Sequence, residues 1–234
     1  QPEPALYPLQ LKGVSRVFAQ WADSTLFWAS MAYNLSPKGA ASMFEGAPPE
    51  AAKAFAADRG AMSQGMTRLR PADATAAYKS YLRRIAHMLD QNPFLLGEAP
   101  CVADFSVYHP LWFTRHRTPV MADIFQATPV VLEWMDRMAA LGHGQSERLS
   151  SADAVALARA STPATVHDDH FQDDHGIPLG SQVSISAESF GPEPTEGELV
   201  SATRTQFTLR RTDERAGTVH VHFPRVGFVL RALK

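Results

Sequence analysis

One cysteine in 234 residues, Cys101, excludes an intrachain disulfide framework and fits a reducing compartment. No apolar run reaches the length of a membrane span, and the opening QPEPALYP has neither the basic start nor the apolar stretch of a secretory signal. Neither sign of charge dominates: the formal charge is −2 and the pI about 6.5, so an obligatory nucleic-acid or anionic-membrane partner has no electrostatic basis. The chain also lacks internal repeats and long low-complexity segments. These absences lead to the expectation of a cytoplasmic protein with no nucleic-acid and no membrane partner. The first residue is glutamine rather than methionine, which leaves room for sequence ahead of it.

What is present is apolar side chain, 45 % of residues, enough for a substantial core. Its periodicity divides the chain. From about residue 11 to 161 the period is 3.6. Val14, Val17, Phe18, Trp21, Ala22, Trp28, Ala29, Ala32 and Leu35 share one face of a long first helix, predicted to be core. An alanine-rich helix is expected within 49–66, and a third, over about 72–91, sets Tyr78, Tyr81, Leu82, Ile85 and Leu89 against Lys79, Arg83, His87 and Asp90. A helix starting near Cys101 meets Pro110, which removes a backbone donor, so a kink or early stop is expected there. Thr128 and Pro129 form a cap and first position for the next helix, which Gly142 closes, and Ser150 with Asp153 starts another.

Beyond Gly176 the period becomes two. Val183, Ile185 and Ala187 share a face; so do Phe207 and Leu209, and Val219, Val221 and Phe223, with RVGFVL as a last strand and GPEPTEG and DERAG read as turns. The fold class expected is therefore α+β: an all-helical bundle over 1–161, an acidic His/Asp-rich linker over 162–176, and over 177–234 a small antiparallel β barrel or curled sheet of four or five strands.

The linker stretch VHDDHFQDDHG, 166–176, holds three histidines and four aspartates, ligand types suited to zinc. His220 and His222, on one face of a predicted strand, would be the distant pair to complete a site. Turn and linker chemistry on both sides favours a solvated hinge, so no metal is expected. Over 176–234 seven Lys/Arg face six Asp/Glu, which reads as a solvated strand face rather than a basic nucleic-acid surface.

The segment FLLGEAPCVADFSVYHPLWF, Phe94 to Phe113, resembles the signature of the all-helical C-terminal domain of glutathione transferases. There a leucine-glycine turn precedes a helix opened by a Ser/Thr-x-x-Asp capping box with a buried aspartate. Here Asp104 takes the aspartate's place, and Cys101 stands where the family has a hydroxyl. The resemblance covers about 1–160, and the tail looks like an accessory β domain of unassigned role.

That resemblance implies a fragment or truncated relative, with the N-terminal thioredoxin-like domain missing. In the family that domain holds glutathione and supplies the thiol-activating residue, so no catalytic residue is assigned here. Glutathione is implied as the co-substrate of the complete protein, and this chain alone should bind none and be inactive. What the helices are expected to supply is a wall for a small hydrophobic electrophile, formed by Trp21, Phe27, Trp28, Met31, Tyr108 and Trp112, and the contact of a homodimer, in which Phe27 and Met31 are rival participants. The rival reading is a non-catalytic binding or interaction protein using the bundle and the β module. Cys101 reads as a small residue in a packed cap rather than a reactive thiol, His109 as a core histidine and His116 as a solvated one.

Overall fold

The computed structural model describes residues 6–67, 69–166 and 174–233. It forms two compact units, one of residues 1–52 and 67–145, the other of residues 53–66 and 146–234.

The first unit is helical. Helix α1 (Lys12–Trp21) continues through a wide π-helical turn, Ala22–Leu26, into α2 (Phe27–Asn34); α3 (Pro37–Met43) follows. The buried line along this rod is Ser15, Ala19, Ala22, Leu26, Ala29 and Tyr33, spaced alternately by four and three residues. The expected face is thus corrected by about one position: Val14 and Val17 stand 55 % and 70 % exposed. Periodicity weights large side chains, whereas close helix packing here selects the small ones, leaving Phe18, Trp21 and Trp28 on the flanks.

Helix α4 (Pro49–Met62) comes next, and then α5 (Pro71–Leu89), which buries the expected Tyr78, Leu82, Ile85 and Leu89. Helix α6 (Val102–Trp112) runs through Pro110 into a second π turn, Phe113–Arg117, so the early stop is not seen. The Thr118 N–H closes that turn on the Phe113 carbonyl at 3.1 Å, and the Thr114 hydroxyl donates to the Pro110 carbonyl at 3.2 Å. A 3₁₀ stretch, Pro119–Ala127, leads to α7 (Pro129–Ala140), whose Val131, Trp134, Met135 and Met138 complete the core. The helix begins at Pro129 as expected, but the Thr128 hydroxyl donates back to the Phe125 carbonyl at 3.4 Å instead of capping it.

The second unit holds the body of α4 from Lys53, helix α8 (Ser151–Ala160) and one antiparallel sheet. Ser150 caps α8 as expected, its hydroxyl oxygen accepting from the Asp153 N–H at 3.1 Å. The strands are β1 (Gln182–Ala187), β2 (Thr195–Ala202), β3 (Gln206–Asp213), β4 (Gly217–Pro224) and β5 (Phe228–Ala232), in the order β4-β3-β2-β1-β5. The sheet is open, which corrects the barrel alternative: β5 pairs with β1 and leaves β4 on the far edge, where α8 packs against it. One face carries Val183, Ile185, Leu199, Phe207, Leu209 and Leu230 as a dry layer.

Strand β2 absorbs part of what the sequence presents as a turn. Gly197 lies within it, opposite Val183, and a Cβ there would stand 2.7 Å from the Arg210 carbonyl oxygen. This glycine serves close strand approach rather than a turn.

Candidate functional site

Around α6 the geometry resolves into a structural anchor and an exposed seam. The anchor is Asp104. Its carboxylate accepts from the Cys101 N–H at 3.0 Å and the Leu95 N–H at 2.9 Å, and from the Trp134 indole N–H at 3.0 Å. The Cys101 side chain in turn faces the Asp104 N–H, so both halves of the capping box are present. Burial pushes the Cys101 thiol above its ordinary pKa, outweighing the neighbouring backbone N–H groups that favour the thiolate. A thiol held neutral and buried is a packing group, not a nucleophile.

A second buried cluster ties α2, α5 and the α6 turn together. Asn34 Nδ2 donates to Thr114 Oγ1 at 2.8 Å, and the Thr118 hydroxyl donates to Asn34 Oδ1 at 3.1 Å. The one hydroxyl proton of Thr114 goes to the Pro110 carbonyl, so the Tyr78 hydroxyl, 2.9 Å away, acts as donor to Thr114. Burial raises the Tyr78 pKa, and burial with the nearby Asp123 carboxylate pushes Tyr33 up to about 12.

Both phenols are harder to ionise folded than unfolded, so their contribution is fully present below the ordinary phenol pKa of about 10 and is lost as pH rises through the folded values. We expect stability to fall from pH 10 upward. In an ultraviolet titration, Tyr33 and Tyr78 should still be un-ionised as pH passes the ordinary phenol value of about 10.

The six aromatic and methionine positions expected to wall a pocket have different neighbours. Trp21 turns to α5, its ring 5.3 Å from that of Tyr81 and edge-on. Tyr108 packs on Trp134 at 6.1 Å, and Met31 is 9 % exposed. Trp112 is 38 % exposed; Phe27 and Trp28, half-buried like Trp21 and Tyr108, stand edge-on to each other at 5.1 Å.

Two histidines join them. The His109 ring lies 6.2 Å from Phe27, and the His116 ring 5.9 Å from Trp112. His109 is exposed, which corrects the expectation of a core histidine. The spacing 109, 112, 116 is the sequence signal that places both histidines and Trp112 along one side of the helix. Nearby, the Ser106 hydroxyl donates to Asp23 in the first π turn at 3.3 Å, while Arg115 is turned onto Asp136 at 2.7 Å. The seam between α1–α2 and α6 is therefore aromatic and imidazole-rich, bordered by one carboxylate, with Arg115 engaged on Asp136 and Arg117 exposed beside His116. π turns of this kind recur where helices are distorted for function.

His167 and His170 lie outside the described residues. His175 packs edge-on to Phe207 at 5.6 Å and pairs with Arg225, and among the described residues no three His, Cys, Asp or Glu side chains come together as a metal cluster. No helix among them is long and apolar enough to cross a membrane.

Comparison with known proteins gives the class. Residues 51–137 match the glutathione S-transferase C-terminal domain family. The crystal structure of a GST-like protein from Pseudomonas syringae is similar with a TM-score of 0.74 and 36 % identity, over 99 % of this chain and 72 % of that one. No curated protein sequence matches the chain. The chain belongs to the glutathione S-transferase family, and the Asp104 box lies inside the matched stretch.

Proposed function

We propose that the helical unit supplies the electrophile-binding wall of a glutathione-dependent transferase, and that Phe27, Trp28 and Trp112, with His109 and His116, form it. The observation that carries this reading is the run of rings along α1–α2 and α6, where Trp112, His109 and His116 stand exposed and Phe27 and Trp28 are half-buried. Flat aromatic faces suit an apolar, electron-poor acceptor, and imidazoles at its edge offer hydrogen bonds to nitro or carbonyl oxygens without burying a charge.

Glutathione itself fits the seam poorly. Its two carboxylates call for paired cations, and of the two arginines flanking His116 one, Arg115, is committed to Asp136. The co-substrate is therefore assigned to a separate thioredoxin-like unit, the family's usual source of the activating residue. The reaction proposed is attack of the glutathione thiolate on the bound electrophile, with this chain orienting the acceptor. Family membership also supports a homodimer. Met31, being buried, is a poor candidate for its contact.

The test is binding of an apolar activated aryl halide, followed by quenching of tryptophan fluorescence. Phe27→Ala and Trp112→Ala are each expected to weaken it about tenfold, in line with the loss of one buried aromatic contact. Tyr108→Phe, which keeps the packing on Trp134, should change it little. Equal affinity in all three variants would place the electrophile elsewhere.

A further inference from the structure

His220 and His222 lie two apart on β4, an outermost strand of the sheet, and both line one groove of about 660 Å³ within the second unit. The opposite wall is the end of α8 and the stretch 161–166. We propose that this groove is a binding site for an imidazole-preferring divalent transition-metal ion, with His220 and His222 as its protein ligands and water completing the coordination.

Three features select a cation of this class. Among the described residues no lysine or arginine lines the groove. Arg210, paired with His220 across β3 and β4, is clamped by both oxygens of Glu198 at 2.7 and 2.8 Å, and Arg159 lies at the hairpin end with its stem along Gly217. The carboxyl end of α8, at Ala158 and Ser161, presents the negative end of the helix dipole to the cavity.

The third feature is the support behind one ligand. Thr208, fully buried on β3, sits opposite His222, and its hydroxyl is 2.9 Å from Nδ1. With Nδ1–H donating to that oxygen, Nε2 keeps its lone pair for the metal, the arrangement in which a second partner orients a ligating histidine. Imidazole pairs favour zinc, copper and nickel over calcium or magnesium. A side chain every second residue along a strand points to the same face, about 7 Å apart, a separation one ion can bridge.

The experiment is zinc titration of the whole chain, free of any affinity tag, by competition with a chromophoric chelator. One saturable site is expected. His220→Ala and His222→Ala should each weaken it at least about tenfold, and Thr208→Val by about tenfold, although Thr208 touches no metal. The double variant His167→Ala/His170→Ala should stay within about twofold of the parent, since the proposed site takes its protein ligands from β4 alone. Unchanged far-ultraviolet circular dichroism in each variant separates lost binding from lost folding, and His222→Gln gives a second reading if His222→Ala fails to fold. Absence of saturable uptake would overturn the proposal. So would retention of the site in the His220→Ala/His222→Ala variant, or its loss when His167 and His170 are replaced.

Discussion

Replacing Asp104 with alanine is expected to lower the unfolding free energy of the helical unit by at least about 3 kcal/mol, from three buried donors each left unsatisfied at about 1–3 kcal/mol. The donors are the Leu95 and Cys101 N–H groups and the Trp134 indole N–H, all within 3.0 Å of the carboxylate. They sit in a fully buried neighbourhood, where no water replaces the lost acceptor. Asp104→Asn keeps the oxygen that serves Leu95 and Trp134 but turns an amide N–H toward the Cys101 N–H. Its loss should fall between those of the parent and the alanine variant. All four tryptophans lie in the first unit, so urea unfolding followed by tryptophan fluorescence reads that unit directly. An alanine variant as stable as the parent would show that the box is not the anchor of α6.

The second large effect concerns Gly39, buried in α3. Helix propensity alone predicts that Gly39→Ala stabilises by about 1 kcal/mol. Space predicts the opposite. A Cβ there would collide with the carbonyl oxygen of Asn34, with the carbonyl carbon at 2.9 Å and the Met121 side chain at 3.1 Å. The obstacle is backbone, and the Asn34 side chain holds Thr114 and Thr118, so relief of the clash disturbs the polar cluster as well. We expect a loss of about 3 kcal/mol or more, at the upper end of overpacking costs. Gly13, with nothing within 4 Å of its Cβ position, is the control, and Gly13→Ala should be neutral or slightly stabilising. The same fluorescence-detected unfolding compares the two.

Legibility in the sequence followed the range of the interaction. The Asp104 box was readable because cap and aspartate are three residues apart and the turn partner, Leu95, is nine. The Asn34, Tyr78, Thr114 and Thr118 cluster was not, since its side-chain contacts span 36 to 84 residues and each residue alone is unremarked in its helix. The apolar face of the sheet followed from alternation at Val183, Ile185, Phe207 and Leu209. Strand β2 was hidden because Gly197 and its glutamates look like turn chemistry. Nothing in the alanine-rich α4 and α8, neither of which buries a residue, tells which unit they join.

At the candidate site, aromatic content was legible and direction was not. Trp21, Trp28 and Phe27 belong to one rod, but a π turn between them changes the face that each presents, and no local pattern announced that turn. His109 was misplaced for a related reason. Beside Pro110 and Leu111, both buried, it reads as interior, yet helix α6 turns it outward to Phe27.

Photo-crosslinking asks whether an apolar electrophile settles on the aromatic seam along α6. The intact chain is irradiated with a small apolar aryl diazirine at low occupancy, and the adducts are located by peptide mass spectrometry. The account predicts adducts concentrated on Phe27, Trp28, His109, Trp112 and His116. Adducts spread over other exposed apolar positions such as Val14, Val17 and Leu157, with none along α6, would contradict it.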